Sequence, residues 1–331
     1  MKGTRHACRL SLVVGLTAAA LAACSAPKAA PRTVALGAGR DVFDGDIGDP
    51  FVLPVTAAAG QVQYFVFGTN DDPAHVPTAT SPDLVHWHRI ADAMPDLPSW
   101  AAPDPTNSLT WAPVVVHRAI GGYLMYVTIP EPESGRECVA AMSSTAPEGP
   151  YTDTLGGPLL CERELGGSID PTVVTDAHGT RHLLWKNDGN CCGLPAGIWE
   201  QDLAPDGLKV VGTAHHLLDA DQPWEGGVIE EPAMVPATRG GWWLFYSGNL
   251  WDRAEYGTGL AYCPRIEGPC RKTRSGPVLA TAAGQASPGG LETFIDAKGT
   301  RWAVFATWNR PPRNGRFYCC RSLDLAPVRA A

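Results

Sequence analysis

One short phrase returns about every sixty residues along this chain, and at three of its five occurrences it carries an acid just ahead of a Pro. The stretches are Gly48-Asp49-Pro50-Phe51-Val52, Trp111-Ala112-Pro113-Val114-Val115, Ile169-Asp170-Pro171-Thr172-Val173, Glu230-Glu231-Pro232-Ala233-Met234 and Pro288-Gly289-Gly290-Leu291-Glu292. With Asp49, Trp111, Asp170, Glu230 and Gly290 as markers, the steps are 62, 59, 60 and 60 residues. A fixed period of this size marks one structural unit used repeatedly. Each unit opens with the phrase, turns, and runs into an aromatic strand such as Tyr64-Phe65-Val66-Phe67 or Trp242-Trp243-Leu244-Phe245-Tyr246. A third strand and a less regular fourth follow. Short runs rich in β-branched and aromatic residues, bounded by Gly, Pro and Asp, read as strands. Four strands per unit make a propeller blade, so the chain reads as all-β, a five-bladed β-propeller.

In such a ring the first strand of each blade lines the central channel. The spacing therefore predicts that Asp49, Asp170 and Glu230 occupy equivalent places and converge. A single acid before Pro is usually a turn former, because it bonds its own backbone. Three acids in register in a channel are like charges held together at a cost, and such groups persist where chemistry uses them. Glu231 competes with Glu230. Strand neighbours point to opposite faces, so one of the two is expected to enter the channel. Asp44 and Asp46 read as loop residues.

The length of 331 residues suits one large all-β domain behind a leader. A net charge of −8 argues against a nucleic-acid partner, which would need a basic face. Most of the 11 Trp are expected to pack between blades, leaving a few to stack on a flat ligand. Residues 1–23 read as a signal peptide, with Lys2, Arg5 and Arg9 ahead of a short apolar run. The run ends in Leu21-Ala22-Ala23-Cys24, which resembles the lipobox of bacterial lipoproteins. That resemblance implies export and a lipidated Cys24 anchored to the outer face of the cell membrane; an ordinary signal peptide is the alternative. Residues 24–40, rich in Ala, Pro and Gly, read as a flexible tether, and residues 41–331 as the propeller.

Beyond Cys8 and Cys24, eight cysteines remain, an even number that suits disulfides in an exported chain. Cys263 and Cys270 flank a turn and are expected to pair; Cys138 and Cys161 could clip one repeat. The doublets Cys191-Cys192 and Cys319-Cys320 leave two choices open, pairing across repeats or forming vicinal bridges. No C-x-x-C spacing or Cys/His cluster supports a metal site.

The set Asp49-Pro50-Phe51-Val52, Ser81-Pro82-Asp83-Leu84-Val85-His86-Trp87, Trp111-Ala112-Pro113, Ser168-Ile169-Asp170-Pro171 and Glu230-Glu231-Pro232 resembles glycoside hydrolase family 43, from about Asp41 onward. The resemblance implies an inverting glycosidase acting on arabinose- or xylose-containing glycans, of arabinofuranosidase, arabinanase or β-xylosidase type. It implies Asp49 as general base, Glu230 as general acid, and Asp170 as the group that orients the acid and raises its pKa. Inversion needs two carboxyl groups roughly 6.5–9.5 Å apart, with a water between. Trp111, Lys186, Asn190, Trp251 and Arg316 are the candidate substrate contacts. No cofactor is expected. Many members carry a His in the fifth blade that helps hold a central calcium; here the segment is Ser287-Pro288-Gly289-Gly290, which argues against that ion. Two other readings stay open: a glycan-binding propeller without turnover, and a related furanosidase that retains configuration. A monomer is expected, with an oligo- or polysaccharide as partner.

Overall fold

The computed structural model describes residues 34–71, 73–101, 109–282 and 284–330. The expected signal peptide, Cys24 and most of the expected tether lie outside the described residues, among which no helix is long and apolar enough to cross a membrane. The described chain forms five antiparallel sheets. Two short strands come first, β1 (Val34–Leu36) and β2 (Arg40–Phe43). Blade one follows as β3 (Gly48–Thr56), β4 (Val62–Thr69), β5 (Thr78–Ser81) and β6 (His88–Arg89). Blade two is β7 (Trp111–His117), β8 (Tyr123–Glu131), β9 (Arg136–Ser144) and β10 (Thr152–Asp153). Blade three is β11 (Ser168–Thr175), β12 (Arg181–Asn187), β13 (Gly197–Leu203) and β14 (Val210–Asp219). Blade four is β15 (Ile229–Pro236), β16 (Trp242–Gly248), β17 (Gly257–Cys263) and β18 (Arg271–Lys272). Blade five is β19 (Ala286–Ile295), β20 (Arg301–Trp308) and β21 (Arg321–Ala330), to which β1 and β2 both pair.

This corrects the expected domain boundary at Asp41. Val34 to Leu36 belong to the propeller, paired with Ala330 to Val328, and Arg40 pairs with Leu325. The first and last of the described strands share one blade, so the ring is latched by backbone hydrogen bonds. The first strands pack in the order β3, β7, β11, β15, β19 and back to β3.

The period of two in a strand explains how the ring holds together. In β4, Phe65 and Phe67 face blade two, while Tyr64 and Val66 face blade five. In β8, Met125 and Val127 face blade one, while Leu124 and Tyr126 face blade three. In β16, Leu244 and Tyr246 face blade three, while Trp243 and Phe245 face blade five. Each sheet is thus apolar on both faces, and five buried clusters fill the five gaps between blades. Trp87 and Trp185 are buried packing residues of this kind. Removing a side chain as large as Trp185 would cost about 3–5 kcal/mol.

Candidate active site

Every first strand carries an irregularity at the same place. Register slips between Gly48 and Phe51, Trp111 and Val114, Ile169 and Thr172, Glu230 and Ala233, and Gly289 and Glu292. The extra residue adopts positive φ in each case: Asp49 at 46°, Ala112 at 48°, Asp170 at 53°, Glu231 at 52° and Gly290 at 61°. A bulge re-aims side chains out of the strict alternation of a strand. The true equivalents are therefore Asp49, Ala112, Asp170, Glu231 and Gly290. Glu230 stands one place earlier, with Gly48, Trp111, Ile169 and Gly289, which corrects the expected equivalence with Asp49 and Asp170. The alternation rule for Glu230 and Glu231 also fails here, because both line the same cavity.

Hydroxyls of the second strands hold three of the bulges. Thr69 Oγ1 accepts from the Ala112 N–H at 3.0 Å, Thr128 Oγ1 from the Asp170 N–H at 3.1 Å, and Ser247 Oγ from the Gly290 N–H at 3.0 Å. Blade three places Lys186 at the corresponding register, opposite Ile169. Lacking that hydroxyl, the Glu231 N–H donates to Asp170 Oδ2 at 3.2 Å instead. Lys186 Nζ is freed for the next blade and donates to Glu230 Oε2 at 3.1 Å, while Tyr256 donates to Glu230 Oε1 at 2.8 Å.

Asp49 is held from the other side. Arg321 Nη1 donates to its two carboxyl oxygens at 3.1 and 3.2 Å, and the Thr69 hydroxyl donates to Oδ2. Arg321 is itself braced where its backbone N–H donates to Asp46 Oδ1 at 2.8 Å. Two glycines make room for these partners. A Cβ at Gly48 would collide with the Arg321 guanidinium, and one at Gly289 with the Tyr256 ring.

Burial pushes the Asp170 carboxyl up to about 8; Lys186 pulls it back, and Glu230 and Asp49 add to the rise. Burial, then Asp170 and Asp49, hold Glu231 well above the ordinary carboxyl range. Burial takes Glu292 up to about 7 against a hydrogen bond from Thr172. For Lys186 burial opposes the charge, but Glu230, Asp170 and Asp188 outweigh it and raise the ammonium pKa. Arg321 likewise gains more from Asp49 and Asp46 than burial removes.

Asp49, Asp170, Lys186, Glu230, Glu231 and Arg321 open on one cavity of about 540 Å³, whose lining does not include Glu292 or Tyr256. Its lining includes Asp49, Trp111, Asp170, Lys186, Asn190, Glu230 and Trp251, all singled out in the sequence. Arg316 does not line it. Its guanidinium is half-exposed and pairs with Asp252 at 3.2 Å, a correction to its expected substrate contact. Arg321, Asp188, Thr69 and Cys191 line the cavity without having been singled out as substrate contacts. Trp251 is half-exposed and stacks on Trp308, 5.7 Å between centroids, with Arg321 lying over both rings.

All four expected or open cysteine pairs are disulfides: Cys138–Cys161, Cys263–Cys270, and both doublets as vicinal bridges. Three groups of His, Cys, Asp or Glu converge closely enough to share an ion among the described residues. Two of them contain disulfide sulfurs, and the third, His182 with Glu200 and Asp202, is not part of the cavity lining. The blade-five position expected to carry His in the resemblance offers no donor. A Cβ on Gly290 would already lie 2.9 Å from Asp49 Oδ1.

The arrangement can do acid–base chemistry. Two carboxyl groups, each bound to its own cation, face one cavity, and two further acids of its lining, Asp170 and Glu231, feel the charge of both.

Known proteins resemble this chain in sequence and in fold. The chain is 25% identical over 282 residues to a β-D-galactofuranosidase of Aspergillus niger, covering 78% of this chain and 75% of that protein. It is 30% identical over 183 residues to an extracellular endo-α-(1→5)-L-arabinanase of Thermotoga petrophila, covering 46% of this chain and 36% of that one. Among solved structures, a thermostable family-43 glycoside hydrolase superposes with a TM-score of 0.73 at 23% identity, covering 85% of this chain and 89% of its own. An endo-arabinase from Bacteroides thetaiotaomicron superposes with a TM-score of 0.69 at 19% identity, covering 87% and 96%. Both share the fold. Residues 40–330 match the model of glycosyl hydrolases family 43, and the chain belongs to that family of glycosidases, which hydrolyse O-glycosyl bonds.

Proposed function

We propose that this chain hydrolyses arabinose- or xylose-containing glycans with inversion at the anomeric carbon. The carrying observation is that Asp49 and Glu230 face one cavity while held by different cations, Arg321 and Lys186. Asp49 takes a proton from water as the water attacks the anomeric carbon. Glu230 gives a proton to the leaving glycosidic oxygen, and that bond breaks. Lys186 and Tyr256 each engage one Glu230 oxygen, which fixes the orientation of the carboxyl toward the cavity and leaves further bonding sites on both oxygens. Asp170 acts as a positioning residue. It keeps its proton at neutral pH and accepts the Glu231 N–H, which fixes the bulge that carries Glu230. No step calls for a cofactor. The sugar class rests on the arabinanase relative and on family membership. The galactofuranosidase relative supports a five-membered ring in the site, which favours arabinofuranosides over xylosides.

Glu231 is the second reading for the proton donor, because burial and its neighbours keep that carboxyl protonated. The test compares Glu230→Gln and Glu231→Gln on a natural linkage and on a 4-nitrophenyl glycoside. A 4-nitrophenolate leaving group needs little protonation. Loss of the true donor should cost roughly 10²–10⁴-fold on the natural linkage and much less on the aryl glycoside. That pattern in Glu231→Gln, with Glu230→Gln spared, would reassign the role.

We also propose that the chain works as a monomer, anchored through Cys24 on the outer face of the membrane. The lipobox-like residues 21–24 support the anchor. Cys24→Ser should move the protein from the membrane fraction to the soluble exported fraction; unchanged membrane recovery would refute it.

A further inference from the structure

The Cys191–Cys192 bridge borders the cavity, although a disulfide takes no part in the hydrolysis described above. Cys191 is exposed and lines the cavity next to Asn190, Asp188 and Lys186. It sits on a single 3₁₀ turn, Gly189–Cys192, that follows the end of β12 at Asn187 with only Asp188 between. That turn is fixed from several sides. Asn187 is buried, and its Nδ2 donates to Leu165 O at 3.0 Å and Pro195 O at 2.9 Å. Its Oδ1 accepts from Gly197 N–H at 2.8 Å and Trp199 Nε1–H at 3.0 Å. The Leu194 N–H closes the turn on Gly189 O at 2.8 Å, and Arg136 Nη1 approaches Cys192 Sγ at 3.0 Å.

A vicinal disulfide closes a small ring with the peptide bond between its residues. It has no charge and no rotatable side chain left to order. Its sulfurs are soft and polarisable, suited to contact with the C–H face of a ring. Asn190, Asp188 and Lys186 beside it are polar, so the bridge is an apolar spot among them. Another part of the lining offers a different one, Trp251 stacked on Trp308. An element fixed before the ligand arrives contributes contact without an entropy cost on binding.

The walls also differ in which catalytic carboxyl they support. Lys186, on the Cys191 wall, pairs with Glu230, whereas Arg321, under Trp251, pairs with Asp49. In an inverting site the proton donor faces the leaving group and the base faces the attacking water. We infer that the Cys191–Cys192 disulfide is a specificity element of this site, contacting the sugar on the leaving-group side of the scissile bond. This rests on the catalytic reading above.

The test uses Cys191→Ala with Cys192→Ala in the whole protein, and Cys263→Ala with Cys270→Ala as a control bridge outside the cavity lining. The readout is the ratio of kcat/KM for a trisaccharide to kcat/KM for the matching 4-nitrophenyl glycoside. The probes are arabinotriose with 4-nitrophenyl α-L-arabinofuranoside, and xylotriose with 4-nitrophenyl β-D-xyloside. The Cys191/Cys192 variant should lower that ratio by about ten-fold, mainly through KM, since one apolar contact discriminates by about that much. The control should leave the ratio alone even where it lowers Tm. Equal losses on both substrates, an unchanged ratio, or the same ratio shift in the control would overturn the inference. A wild-type protein inactive on all four probes would instead overturn the catalytic reading beneath it.

Discussion

Lys186 occupies a register that Thr69, Thr128 and Ser247 fill in three other blades, and the change of residue type alters what the place does. A hydroxyl there holds the next bulge; an ammonium instead reaches the next blade's Glu230. Lys186 is buried, so removing it strands a carboxyl beside Asp170 and Asp188. Lys186→Met should cost about 3–5 kcal/mol of stability by denaturant unfolding, together with most of the activity. A near-neutral result would remove the pair from the account. Asp170 has a distinct signature. Its pKa is 3.8 when exposed and about 8 in the fold, so across that window the native state keeps a proton the unfolded chain has released. Stability contributed by the neutral carboxyl is therefore lost as pH rises from 3.8 toward 8. Asp170→Asn should flatten the fall of Tm with pH across that window. An unchanged slope would show that Asp170 is ionised in the native state. Asp49, Asp170 and Glu230 were legible because each lies in a recurring phrase. Arg321 and Tyr256 were not. Arg321 opens the third strand of blade five and Tyr256 immediately precedes that of blade four, and nothing in their local sequence distinguishes them from other basic or aromatic residues.

At the scale of the element, the bulge is the unit that builds the site. Alternation along a strand would have sent Glu230 and Glu231 to opposite faces. Positive φ at the bulge residue breaks that alternation in all five blades, and at non-Gly positions such a conformation costs about 1–3 kcal/mol. The Pro following four of the five bulges was visible in the sequence; the backbone turn before it was not, because the residue before Pro ordinarily stays extended. The hydroxyl caps offset part of the strain. Thr128→Val keeps the shape but leaves the Asp170 N–H without its partner. It should cost about 1–3 kcal/mol and reduce kcat more than KM, because the acid moves while the cavity walls stay. Lost stability with unchanged kcat would show that the cap serves folding alone.

The whole molecule is a ring, and its closure corrects the boundary read from composition. The Ala-, Pro- and Gly-rich character of residues 24–40 continues past Val34, yet β1 pairs with β21 there. Composition reports the lack of a local core; it cannot report pairing with a strand nearly three hundred residues away. A chain beginning at Val34 should melt at the same temperature as one carrying the full tether. A chain beginning at Asp44, without β1 and β2, should melt lower, since blade five loses both outer partners. Equal melting would mean that the latch contributes nothing. The five-bladed architecture itself was legible because the period repeats across the whole domain, whereas the cavity depends on loops and strand ends that differ between copies. The central claim concerns that cavity, with Asp49 and Glu230 working on opposite sides of one glycosidic bond. It is tested most directly by following the first product released from an arabinofuranoside or xyloside by proton NMR, before mutarotation. The account predicts an anomer of inverted configuration; a first product of retained configuration would contradict it.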